Sequence, residues 1–142
     1  MRMTADQARE KFAAAQVAAL ATVDAEAVPH VVPVTFAVSA DTVVFAVDDK
    51  PKTTTDLRRL RNIAANPEVS LLVQHYEDDW SRLWWARADG TATIHEVAAE
   101  RASAVRWLCA KYPSYTERPP QGVVVRIEVA RWSGWQAAPS AT

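Results

Sequence analysis

Apolar residues recur along this chain at two spacings, and each change of spacing marks a change of element. Near the start, Ala8, Phe12 and Ala15 fall four and three apart behind Thr4 and Gln7, which stand at capping-box distance. That spacing predicts a short amphipathic helix over residues 4–15. The pattern then shifts to runs of strand formers at 17–23, 30–38 and 42–47, separated by Asp/Ala/Glu and Ser/Ala/Asp turns. These predict an antiparallel meander. A second helix is expected behind Thr53 or Thr54, with Leu57, Leu60 and Ala64 on one side and Thr54, Arg58 and Arg61 on another; Asn66-Pro67 ends it. "VSLLVQHY" reads as a strand, and "WARADGTATIHE" as another in which Gly90 permits a bulge or bend. Ala98, Ala102, Val105, Cys109 and Tyr112 step by fours and threes, predicting a helix that stops near Pro113. "GVVVRIEVARWSGWQA" closes the chain as one strand or two.

About six strands with few, short helices favour a mainly β fold, a closed β-barrel with helical decoration, over a parallel βαβ sheet. The 142 residues suit a single domain, 1–142, with the tail from Ala137 frayed. With 49% apolar residues and six tryptophans, a sizeable core is expected.

A formal charge of −1 gives no overall positive field to attract nucleic acid. Cys109 is the one cysteine, which excludes an internal disulfide and any thiolate metal cluster and fits a reducing compartment. The N-terminal residues are charged throughout, and no run reaches the roughly 18 apolar residues of a membrane span. The expectation is a cytoplasmic protein that takes neither nucleic acid nor membrane as a partner.

Candidate chemistry concentrates in "DDKPKTTTDLRRLRN". A strand end, a Pro51 turn bringing Lys50 and Lys52 together, and a helix N-terminus with the hydroxyls of Thr53 and Thr54 would suit an anion. Arg58, one turn on, would add a bidentate grip. A solvated basic helix face explains the same residues, and local features leave both readings open. His30, His75 and His95 lack zinc spacing, and the acids at 77–79 lack the alternating ligands of a calcium loop, so no metal is expected. With three glycines in the chain, and no GxSxG, P-loop or GxGxxG, serine hydrolase, NTPase and dinucleotide-fold readings fall away. Cys109 lies in an apolar stripe and reads as core. Alternation in "RLWWAR" sends Trp84 and Trp85 to opposite strand faces, so one of them faces an interface or a ligand.

The order "LATVDAEAVPHVVPVTFAV", "VVFAVDDKPK", "LRNIAANPEVSLLV" and "RWSGW" resembles the pyridoxamine 5′-phosphate oxidase-like split β-barrel flavoproteins. Within them it is most similar to the actinobacterial subgroup that uses the deazaflavin coenzyme F420. The resemblance implies a homodimer with two cofactor sites at its interface. It places Pro33, Val34 and Thr35 along the cofactor ring and Lys50, Pro51, Lys52 and Thr53 at its phosphate. Trp80, Trp132 and Trp135 are implied for the far wall. Arg58 is added from spacing. The implied activity is hydride transfer from reduced F420 to an unsaturated small molecule, with no dedicated catalytic side chain required. Tyr76 and His75 are conceivable proton donors. FMN is the alternative cofactor, and a non-catalytic flavin- or haem-binding protein is the alternative function. Glu26-Ala27 departs from the glycine common in this hairpin.

Overall fold

The computed structural model describes residues 1–47 and 58–138. Helix α1 (Ala5–Ala14) starts where the capping box predicts: the Thr4 side chain accepts from the Gln7 amide, and the Gln7 side chain accepts from the Thr4 amide. Strands β1 (Ala18–Val23), β2 (Pro29–Val34), β3 (Ala37–Ser39) and β4 (Thr42–Ala46) follow, then helix α2 (Arg58–Ala65) and strand β5 (Glu68–His75). A 3-10 turn at Trp80–Arg82 leads into β6 (Trp84–His95). Helices α3 (Ala98–Lys111) and α4 (Pro113–Glu117) precede the last strand, β7 (Val124–Gln136). The strands pair antiparallel in the order β2-β1-β5-β6-β7-β4-β3.

The predicted meander is corrected at one place. The run expected over 30–38 breaks at Thr35 and Phe36, and its halves go to opposite edges of the sheet as β2 and β3. Three peptide steps separate Val34 from Ala37, a reach of at most about 11 Å. Seven flat strands would hold the two edges about 29 Å apart. The sheet must therefore curl until its edges meet, and the result is a split β-barrel.

Alternation decides what the barrel encloses. Ala18, Leu20 and Thr22 of β1 point inward with Leu71, Val73, Ala86, Ala88 and Ile127. Helix α1 adds Phe12, whose ring lies 4.8 Å from Phe36 and 5.3 Å, edge-on, from Trp132. A second cluster lies outside the barrel, where Ala104 and Leu108 of α3 pack on Ala37, Val44 and Val124. The inward stripe of α3 thus runs through Ala104 and Leu108, with Ala98 and Ala102 left exposed, one position off the spacing read from the sequence. Helix α2 is similarly rotated: Asn62 and Ile63 are buried, Leu60 packs on the core and Ala64 is exposed.

A bulge position and a turn position carry opposite backbone demands. The register slips between Asp89 and Gly90, as the glycine suggested, and a Cβ on Gly90 would meet the Glu128 carbonyl oxygen at 2.3 Å. Ala27 instead has φ 65°, although Asp24 Oδ1 braces the turn by accepting from the Glu26 and Val28 amides. Gly90→Ala should destabilise the fold by about 1–3 kcal/mol. Ala27→Gly should stabilise it by about 0.5–1 kcal/mol, because relief of the left-handed strain exceeds the added chain entropy. Urea unfolding midpoints measure both signs.

Candidate functional site

Helix α3 covers the outer side of the barrel over β3, β4 and β7, but no described element covers the outer side of β2, β1, β5 and β6. Apolar side chains stand outward there beside polar ones: Val31 is 62% exposed and Leu72 36%. Ala19 and Ala21 of β1 form the floor of a groove of about 390 Å³, walled by Val31, Leu72, Trp85 and Arg87. Trp135 stands opposite Trp85 on β7 and extends the same surface. Three polar residues on this face, Ser70, Arg87 and Asp89, pair with one another. Arg87 Nε donates to Asp89 Oδ2 at 3.1 Å, Ser70 Oγ donates to Asp89 Oδ1, and the guanidinium lies over the Trp85 ring at 5.7 Å.

The residues expected along a cofactor ring end β2, beside this groove. Pro33 is exposed on the outer face, Val34 is buried inward, and Thr35 is half-buried with its Oγ1 3.1 Å from Tyr115 Oη. Because β2 is an edge strand, one side of its backbone has no ladder partner. Lys50, Pro51, Lys52 and Thr53 lie outside the described residues.

Of the basic residues that follow them, Arg58 is exposed. The neighbouring Arg59, which the sequence reading passed over, turns inward. Its Nε is buried without a hydrogen-bond partner among the described residues, and burial pulls the guanidinium below its usual range while leaving it charged. Asn62, three residues on and on the same helix face, donates to Thr22 Oγ1 at 3.0 Å. Thr22 is paired across β1 and β2 with His30, whose Nδ1 is also buried with no partner among the described residues. A mid-helix asparagine at this spacing was the available signal that the Arg59 side of α2 faces the barrel.

The three tryptophans expected to form a far wall do not share a surface. Trp80 is 69% exposed on its 3-10 turn. Trp135 faces outward, whereas Trp132, three residues before it, is buried and donates from Nε1 to Asp41 Oδ1 at 2.9 Å. Trp84 and Trp85 do separate as alternation requires, Trp84 against the core and Trp85 in the groove. His75 is engaged by Glu77 and stacks on Trp84 at 6.2 Å, while Tyr76 is exposed. Cys109 is half-buried with its thiol donating to the Tyr115 carbonyl, and no metal-binding cluster of His, Cys, Asp or Glu occurs among the described residues.

The pyridoxamine 5′-phosphate oxidase family model matches residues 4–136. The chain belongs to that family. Solved structures of similar fold include a FAD-binding protein from Mesorhizobium loti, 18% identical with a TM-score of 0.76, covering 97% of this chain and 98% of that one. HupZ of Group A Streptococcus is 26% identical with a TM-score of 0.70 and 99% of both chains covered. HutZ, the haem storage protein from Vibrio cholerae, is 17% identical with a TM-score of 0.70, covering 94% and 95%. No curated protein matches. This family member has no described helix long and apolar enough to cross a membrane.

A half-buried charge with an unanswered N–H weakens a fold that has nothing bound to it. Arg59→Met should accordingly raise the unfolding free energy of the ligand-free protein by about 1 kcal/mol. Urea titration checks this, and a loss of stability would show that Arg59 serves the fold itself.

Proposed function

We propose that this family member is a homodimeric oxidoreductase that binds coenzyme F420 beside the β2 edge and reduces an unsaturated small molecule. The observation that carries the reading is Arg59, six residues beyond Thr53 of the basic segment Lys50–Thr53, whose guanidinium Nε–H is buried with no partner among the described residues. An anionic group such as a cofactor phosphate would satisfy it. Lys50, Lys52 and Thr53 would share that phosphate. The exposed Arg58 would meet the carboxylates that F420 carries beyond its phosphate and that FMN lacks.

When bound, the deazaflavin supplies the hydride. The chain binds, orients and excludes water. Pro33 and Thr35 would border the ring, with Val34 contributing backbone because its side chain points into the core. A second copy, seated on the bare outer face, would cover the groove and bring Trp85 and Trp135 into the interface. Trp80 would then be the remaining candidate for the far wall. FMN is the alternative cofactor on the same contacts.

Haem binding is the second reading, favoured by the fold shared with HutZ. No histidine among the described residues stands free on the bare face. His75 is engaged by Glu77, His95 lies between Thr93 and Glu100, and His30 occupies an inward position of β2.

Titration of the purified protein with F420, FMN and haem tests the proposal. F420 should bind tightest. Lys52→Ala and Arg59→Met should each weaken F420 and FMN together by about 1–2 kcal/mol, and Arg58→Ala should weaken F420 more than FMN by about 1 kcal/mol. Added salt should weaken F420 the more steeply. Tightest binding of haem, or affinities unchanged in all three variants, would contradict the reading.

A further inference from the structure

The β2–β3 link is held from outside the sheet by two tyrosines. Phe36 belongs to neither strand and its side chain is fully buried, so its peptide groups need partners that no ladder provides. Tyr112, at the end of α3, supplies them. Its hydroxyl accepts from the Phe36 amide at 3.0 Å, and its proton lies within reach of the Phe36 carbonyl at 3.0 Å and the Gln16 carbonyl at 2.7 Å. Burial pushes the Tyr112 phenol up, which keeps that proton in place at neutral pH. Lys111 fixes the same corner, with Nζ donating to the Ala15 carbonyl at 2.6 Å and lying 3.7 Å from the centre of the Phe36 ring.

Tyr115, one turn further on in α4, does something different. It meets Tyr112 edge to face at 5.6 Å, and its hydroxyl reaches past the link to Thr35 Oγ1 at 3.1 Å. A threonine hydroxyl with no fixed partner can occupy more than one staggered position about χ1. Tying that hydroxyl to Tyr115 selects one of them and thereby fixes where the methyl group points.

We propose that Tyr115 is a positioning residue of the cofactor site, acting through Thr35 to set the surface that the end of β2 offers to the ring. The proposal rests on the functional reading above, in which Thr35 borders the cofactor. It adds that α4, which contributes no residue expected at the cofactor, controls one that is.

The test is a double-mutant cycle with Tyr115→Phe and Thr35→Val, titrating FMN, F420 and haem separately and recording the visible absorption of whichever the wild type retains. Tyr115→Phe keeps the ring contact with Tyr112 and removes only the hydroxyl. It should weaken the retained cofactor about five-fold and shift its bound absorption band, as expected for one neutral hydrogen bond. In the Thr35→Val background it should do neither. Thr35→Ser, which keeps a hydroxyl, should restore the sensitivity. Wild-type affinity and spectrum in Tyr115→Phe, or an equal loss in both backgrounds, would overturn the role of Tyr115 while leaving the functional reading in place. A folded wild-type protein that binds none of the three compounds would overturn both.

Discussion

Thr35 and Phe36 are the only residues between the first and last strands of a seven-strand sheet, and the curvature of the molecule follows from that short link. Two residues cannot bridge a flat sheet, so the edges must approach and the inward faces must enclose a core. The link also leaves buried peptide groups outside any ladder, a cost of about 1–3 kcal/mol for each group left unpaired. The Tyr112 hydroxyl meets the amide and carbonyl of Phe36 together. The α3–α4 segment is therefore part of what makes closure possible, besides packing on the barrel's outside.

Placing α3 at that corner has a second consequence. The helix shields the outer side of β3, β4 and β7 through Ala104 and Leu108, while the outer side of β2, β1, β5 and β6 keeps Val31, Leu72, Trp85 and Trp135 at its surface. Wide apolar surfaces of this kind are characteristic of interfaces. The β2 edge borders this surface, so a partner covering it would also enclose the candidate cofactor site. Helix α2, which carries Arg59, meets the same strand pair through the Asn62–Thr22 contact, and Thr22 is paired with His30. Under the proposed function, the cofactor would have its phosphate held by α2 and its ring bordered by the end of β2.

Much of the fold could be read from local pattern. The capping box at Thr4 and Gln7, the bulge at Gly90 and the opposed faces of Trp84 and Trp85 each depend on residues close in sequence, and each stands as read. The break at Thr35–Phe36 was hidden because "VPVTFAV" is rich in strand formers with no Gly, Asn or Asp at the break, and the group that satisfies the interrupted backbone is a tyrosine 76 residues away. The faces of α2 and α3 were misjudged by one position for a related reason. Arginine and asparagine on the buried side of α2 look solvent-facing until Thr22 is brought beneath them. The resemblance implies Trp132 and Trp135 for one wall, but three steps along a strand place two side chains on opposite faces.

Under the proposed function, the bare outer face is an interface between two copies and the site depends on it. Sedimentation equilibrium of the wild type and of Ala21→Glu, which puts a charge on the floor of the groove, tests this most directly. The expected result is a wild-type dimer at micromolar concentration and a folded, monomeric variant that has lost its cofactor affinity. A monomeric wild type, or a variant that remains dimeric and binds as before, would contradict it.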